Sequence, residues 1–125
     1  MRLLLDTHIY LWSVADDRRL SKQARALILN ADDVFVSSVS IWEAAIKIGL
    51  GKLDADINLL VSEIEASGFS ELPVRSVHAA RVRGLPDIHR DPFDRLLVAQ
   101  ALSEPLHLLT SDSHLSQYTS LVITA

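Results

Sequence analysis

Four acidic residues stand where a small α/β chain would bring distant carboxylates together: Asp6, Glu43, Asp94 and Asp112. Asp6 directly follows the apolar run 3–5, and Asp112 follows the apolar pair 108–109 after a Thr-Ser dipeptide. Both runs have the composition of short buried strands. Because the carboxyl ends of parallel strands form one rim where ligands bind, we expect both acids at that rim.

Carboxylates that meet in this way repel one another. Two like charges about 5 Å apart repel by roughly 3 kcal/mol at an effective dielectric constant near 20. A proton or a divalent cation must relieve this repulsion, and hard oxygen ligands select Mg²⁺ or Mn²⁺. The four acids therefore predict a magnesium or manganese site.

Each acid also has a purely structural interpretation. Asp6 and Asp112 can cap the helices that follow them. Ser40 and Glu43 match a capping box, and Asp94 lies in the first turn of a helix opened by Asp91-Pro92. Four helix caps would not need to converge in space, whereas a metal site would. Asp94 also precedes an apolar segment, where an unpaired charge is costly.

Composition restricts the class of protein. The 125 residues predict a single domain spanning 1–125, and 49% hydrophobic with 22% charged residues argue against a disordered or fibrous chain. The lack of cysteine excludes disulfides, thiol catalysis and cysteine-ligated zinc, and suits a reducing compartment. No apolar stretch is long enough to span a membrane. We expect a cytoplasmic protein.

The charge distribution leaves two interpretations open. The net charge of −4 argues mildly against binding of duplex nucleic acid through its phosphates. Residues 75–95 nevertheless carry five arginines against three aspartates. This segment is either a solvated helix face or a basic strip that contacts nucleic acid.

Apolar periodicity and turn residues predict alternating strands and helices. The predicted strands are 2–5, 34–36, 69–72, 106–109 and 121–123. The predicted helices are 7–15, 21–30, 40–48, 57–67, 75–83, 91–102 and 113–118. This alternation predicts an α/β fold with a mostly parallel central sheet of four to five strands, flanked by helices on both faces. The strand order cannot be read from the pattern.

Other motifs carry less chemistry. The segment 49–52 (Gly-Leu-Gly-Lys) faintly resembles a phosphate-binding loop, but Leu53 replaces the hydroxyl that such a loop needs. The five histidines form no H-E-x-x-H pair, and we interpret them as structural or exposed rather than as metal ligands. Ser113-His114 offers no nucleophile elbow, which argues against a serine hydrolase.

Four segments together resemble PIN-domain proteins, and most closely the VapC-like toxin branch of toxin–antitoxin modules. They are Leu-Leu-Asp-Thr-His at 4–8, Ser-Ile-Trp-Glu at 40–43, the long run from His89 to Ala101 and Thr-Ser-Asp at 110–112. The resemblance extends over essentially the whole chain in order. The third segment is specific, whereas the first and last would be weak alone. The tail is a departure, since 118–120 lacks the glycine often found before the last strand.

This resemblance implies a Mg²⁺- or Mn²⁺-dependent ribonuclease. By position, Asp6, Glu43 and Asp94 match the three central acids of the family, and Asp112 matches the more variable fourth. Asp6 and Asp94 would hold the main ion, Glu43 would ligate it or orient the attacking water, and Asp112 would assist a second ion. Thr7 and Thr110 match hydroxyl positions near the site, whereas Asp91 is interpreted as a helix cap.

The resemblance also implies partners: an RNA substrate, a small antitoxin lying across the active-site groove, and a second copy of the chain in a homodimer. The apolar side chains of Ile9, Tyr10, Trp12, Trp42 and Ile46 would supply interface area, because large exposed apolar patches usually mark interfaces. Two other classes remain as alternatives. One is a catalytically silent binding module, and the other is a receiver-type Mg²⁺-binding signalling domain, which would need a phosphoacceptor Asp where Ser37-Ser38 stand.

Overall fold

Five parallel strands form one sheet in the computed structural model, which describes residues 1–125. The strands are β1 (Arg2–Leu5), β2 (Asp33–Ser37), β3 (Ser70–Leu72), β4 (His107–Thr110) and β5 (Val122–Thr124). Their order across the sheet is β3-β2-β1-β4-β5. Leu4 at the centre pairs with Phe35 of β2 and with Leu108 of β4. The carboxyl ends of β1, β2 and β4 are therefore neighbours on one rim.

Six α-helices connect and cover these strands. They are α1 (Thr7–Ala15), α2 (Lys22–Asn30), α3 (Ser38–Gly49), α4 (Ile57–Ala66), α5 (Ser76–Arg81) and α6 (Pro92–Ser103). Short 3-10 helices cover Val82–Gly84 and Ser113–Gln117. None of the helices combines the length and apolar composition needed to cross a membrane.

Alternation along β1 divides the buried side chains into two cores. Leu3 and Leu5 pack with residues of α1, α2 and α4, whereas Leu4 packs with residues of α6 on the other face. Helices thus cover both faces of a parallel sheet, and the predicted fold class is confirmed.

The start of α3 differs from the prediction. The helix begins at Ser38, two residues before the predicted Ser40, because the Ser37 hydroxyl accepts a hydrogen bond of 3.1 Å from the Val39 amide and caps it. Glu43 consequently lies in the second turn and does not reach back to the Ser40 amide. The capping-box interpretation of Glu43 is wrong, which frees its carboxylate for another role.

Other boundaries shift by one or two residues. The last predicted helix is a 3-10 helix that ends at Gln117, and the predicted helix 75–83 is α5 continued by a 3-10 turn. The Arg95 side chain donates hydrogen bonds to the carbonyl oxygens of Val82, Pro86 and His89. This arginine therefore fastens the segment before α6 and does not belong to an exposed basic strip.

Candidate metal centre

Asp6 lies at the junction of β1 and α1 and is 4% exposed. Its Oδ1 accepts a hydrogen bond of 3.2 Å from the Ile9 amide, so the residue does cap α1 as predicted. Its Oδ2 accepts a bond of 2.6 Å from the Thr110 hydroxyl at the end of β4. Burial raises the pKa of Asp6, although these hydrogen bonds act against the rise. The carboxylate is fixed at the rim where the first and fourth strands end.

Asp94 lies in the first turn of α6 without capping it. The cap is Asp91, whose Oδ1 accepts bonds of 2.8 Å from the Phe93 amide and 3.2 Å from the Asp94 amide, as predicted. Burial, and then the negative charges of Asp91, Asp6, Glu43 and Asp112, raise the pKa of Asp94 to about 7. Its side chain is thus free for a ligand, in a place that disfavours an unpaired charge.

Glu43 enters from the second turn of α3 and is 3% exposed. Its Oε2 accepts a hydrogen bond of 2.7 Å from the Lys47 ammonium, one helical turn further on. Its Oε1 is buried and has no hydrogen-bond partner. A buried carboxylate oxygen without a partner costs free energy unless something positive contacts it.

Asp112 completes the group from the segment after β4. Its Oδ1 accepts a bond of 2.9 Å from the His114 amide, so it also caps the 3-10 helix. Burial tends to raise its pKa, but hydrogen bonds from the His114 amide and ring outweigh burial and lower it. Asp112 is thus the most readily ionised of the three aspartates.

His89 lies between two of the acids. Its Nε2 is 3.7 Å from Asp94 Oδ2 and 3.5 Å from Asp112 Oδ2. The ligand atoms of these three residues all lie within 4.8 Å of one another, a spacing suited to one metal ion. Histidine spacing along the chain gave no indication of this position, because the loop before α6 places the ring.

Of the two hydroxyls near the site, only Thr110 contacts a site acid. The Thr7 hydroxyl donates instead to Ser40, at 2.9 Å, and so joins α1 to α3. Both side chains are buried. Thr7 therefore orders the two helices that carry Asp6 and Glu43 without touching either carboxylate.

Of the four predicted acids, Asp94 and Asp112 lie with His89 at ligand spacing, and Asp6 and Glu43 are outside that group of three. The charges of Asp6, Glu43 and Asp112 each act on Asp94, which sets them within one electrostatic environment. Every candidate ligand is a carboxylate oxygen except the His89 imidazole, and such a donor set suits Mg²⁺ or Mn²⁺. The partnerless Oε1 of Glu43 fits the same conclusion.

Comparisons with known proteins agree with this architecture. The PIN domain family matches residues 3–121, and the chain belongs to that family. This confirms the predicted family and excludes the receiver-type alternative. Ribonuclease VapC22 of Mycobacterium tuberculosis is 29% identical over 123 residues, covering 93% of this chain and 91% of that protein.

Two solved structures share the fold. VapBC2 from Rickettsia felis, bound to a DNA fragment from its promoter, superposes with a TM-score of 0.71 at 16% identity, covering 100% of this chain and 98% of the other. A toxin–antitoxin complex from Klebsiella pneumoniae superposes with a TM-score of 0.67 at 21% identity, covering 98% of this chain and 96% of the other. The VapC and VapBC relatives carry the name of the branch that the sequence motifs indicated.

Proposed function

We propose that the chain is a Mg²⁺- or Mn²⁺-dependent endoribonuclease that acts as the toxin of a toxin–antitoxin module in the cytoplasm. The observation that supports the proposal is the acidic surroundings of Asp94: burial and the charges of Asp91, Asp6, Glu43 and Asp112 raise its pKa to about 7. The full-length similarity to a ribonuclease of the PIN family supports RNA as the substrate.

The surroundings of each acid determine its role in the proposed mechanism. Asp6 and Asp94 would hold the cation: Asp6 is buried at the end of β1, and the Asp94 side chain, 21% exposed at the start of α6, lies near His89 and Asp112. Glu43 has one free oxygen, Oε1, with which to ligate the cation or orient the attacking water. Asp112 would assist a second ion. When bound, the cation lowers the pKa of a water molecule and neutralises charge that develops on the phosphate.

The chemistry sets the products. Water attacks the phosphorus in line with the leaving 3′-oxygen, so cleavage leaves a 5′-phosphate and a 3′-hydroxyl. No 2′-hydroxyl takes part, and the preference for RNA must arise from shape and from unpaired bases. Single-stranded regions are therefore the proposed substrate.

Exposed apolar side chains support protein partners. Trp42 is 59% exposed and packs edge-to-face on Phe93 at 5.1 Å, and Ile46 one turn later is 37% exposed. We assign this patch to the interface of a homodimer. Ile9 and Tyr10 contribute nothing to it, contrary to expectation, because both are buried in the core against the sheet.

A small antitoxin is the second proposed partner. Two of the similar structures are complexes of a toxin with an antitoxin. A basic side chain of such a protein, placed in the acid cluster, would compete with the cation and silence the nuclease. The silent-module alternative predicts instead that expression of the chain alone leaves cellular RNA intact.

Sequencing of cellular RNA 5′ ends after brief expression tests the proposal. Wild-type protein should create new 5′-phosphate ends in unpaired regions and arrest growth, whereas Asp94→Asn should do neither. Coexpression of the small gene encoded beside it should suppress both effects. Unchanged RNA and normal growth, with soluble wild-type protein confirmed, would refute the proposal and favour the silent module.

A further inference from the structure

A cavity of about 660 Å³ lies between α1, the end of α3, the segment 52–56 and the start of α4, and none of the four site acids lines it. Two of its lining residues connect it to the cluster. His8 follows Asp6 by two positions, and Lys47 donates its 2.7 Å hydrogen bond to Glu43 while lining the cavity. The volume is typical of a small-ligand site.

One wall of the cavity is an aromatic and guanidinium stack. The Trp12 ring lies 5.8 Å from the His8 ring at 38°, and the Arg19 guanidinium lies 5.3 Å from the centre of the Trp12 ring. Asp17 holds that guanidinium through bonds of 3.2 and 2.8 Å, although the Arg19 side chain is 69% exposed. Aromatic and guanidinium faces are the surfaces on which unpaired bases stack.

Most charged side chains that line the cavity already have hydrogen-bond or ion-pair partners within the protein. Asp17 is engaged by Arg19, and Asp56 accepts hydrogen bonds from the first amides of α4. Asp54 is the remaining acid in the lining. Of the two lysines in the lining, Lys47 is engaged by Glu43 at 2.7 Å, and Lys52 adds a second ammonium group.

We propose that this cavity is a subsite for one unpaired nucleotide of the RNA, adjacent to the phosphodiester that is cleaved. The base stacks on the wall formed by Trp12 and Arg19, and Lys47 and Lys52 contact the phosphate that leads to the acid cluster. The inference rests on the proposed ribonuclease function, and it names the part of the surface that selects single-stranded substrate.

Fluorescence anisotropy with a labelled, mixed-sequence pool of short single-stranded oligoribonucleotides tests the subsite. The Asp94→Asn background prevents cleavage during the measurement. Trp12→Ala should weaken binding by about 5- to 150-fold, the range found for loss of one base stack. Arg19→Met should also weaken it, and Lys52→Met should reduce the slope of log K against log salt by about 0.7.

Arg18→Met and Lys22→Met are matched controls, since both residues are exposed and neither lines the cavity. They should bind RNA like the parent. Arg19 and Lys52 are exposed, so their variants keep the test valid even if Trp12→Ala fails to fold. Circular dichroism verifies each fold.

Two results would overturn the subsite. One is RNA affinity in the cavity variants equal to that of the controls, and the other is loss of a coexpressed protein partner with RNA affinity unchanged, which would assign the cavity to a protein. Failure of the proposed function is distinct: the wild-type chain would bind the pool, with the predicted variant effects, and yet leave it uncut in Mg²⁺.

Discussion

The Thr110 hydroxyl donates a hydrogen bond of 2.6 Å to Asp6 Oδ2, joining the ends of β4 and β1 across 104 residues of sequence. The same hydroxyl oxygen accepts a bond of 3.0 Å from the Asp112 amide. The buried Thr110 hydroxyl therefore positions both the side chain of Asp6 and the backbone of Asp112. It fixes which way Asp6 presents its carboxylate to the site.

Thr110→Val should lower cation affinity and RNA cleavage by about 10- to 100-fold, the usual effect of losing a group that orients a metal ligand. The shape of the side chain is retained, but the buried Asp6 Oδ2 loses its partner, so the thermal midpoint should fall by a few degrees while the fold persists. Calorimetric Mn²⁺ titration and a cleavage assay measure the two effects. Thr124→Val, on the exposed edge strand, is the matched control. Full activity in Thr110→Val would show that the hydroxyl has no positioning role.

Asp6→Asn and Asp94→Asn should each reduce RNA cleavage to background while the fold persists. The amide removes one charge from the cluster with little change in volume, and it relieves repulsion among the carboxylates. The thermal midpoint without metal should therefore hold or rise. The control is Asp87→Asn, at an exposed position, which should cleave RNA like the wild type. A site variant with full metal-dependent activity would remove that residue from the mechanism.

Much of this site could be predicted because its acids follow strongly marked elements. Asp6 and Asp112 come after apolar strands, and the Asp91-Pro92 helix start places Asp94 without ambiguity. Local sequence could not place Glu43, because Ser37 and Ser40 are both plausible caps and only tertiary packing of Ser40 with Thr7 decides between them.

Three further features depend on long-range packing. His89 reaches the acids because the Arg95 side chain and the Tyr118 hydroxyl both hydrogen-bond its backbone, and no local pattern specifies such contacts. Apolar composition likewise did not distinguish the buried Tyr10 from the exposed Trp42. The strand order also follows from side-chain packing across the sheet rather than from alternation alone.

Cation binding should depend on pH through Asp94. With a pKa of about 7, this carboxyl is largely protonated below neutrality, and a cation must displace that proton. Mn²⁺ affinity should therefore rise with pH up to about 7 and then level off, with proton release detected by calorimetry in buffers of different ionisation enthalpy. In Asp94→Asn the pH dependence should be much smaller. Equal slopes in both proteins would assign the proton to another group.

The raised pKa of Asp94 also makes the free energy of unfolding of the metal-free protein depend on pH. The native pKa of Asp94 is raised from 3.8 to about 7, so between those pH values the native state keeps a proton that the unfolded chain has lost. The Asp94 contribution to the free energy of unfolding should fall as pH rises through this window. Urea unfolding in EDTA measures it, and Asp94→Asn should lack this contribution.

Wild-type protein should be a dimer through the patch of Trp42 and Ile46. Trp42→Arg should shift the mass measured by light scattering to that of a monomer, because it places a charge in an apolar interface. Leu29→Arg is the control, since Leu29 is 85% exposed on α2, away from that patch. A strictly monomeric wild-type protein at high concentration would contradict the dimer.

Cleavage of purified single-stranded RNA in Mg²⁺ and in EDTA, with analysis of the new ends, tests the central claim most directly. Wild-type protein should cut in Mg²⁺ or Mn²⁺, leaving 5′-phosphate and 3′-hydroxyl ends. It should not cut in EDTA, and an Asp94→Asn preparation purified in parallel should not cut in either condition. Undiminished cleavage in EDTA, with the parallel Asp94→Asn preparation inactive, would contradict a metal-dependent nuclease built on these four acids.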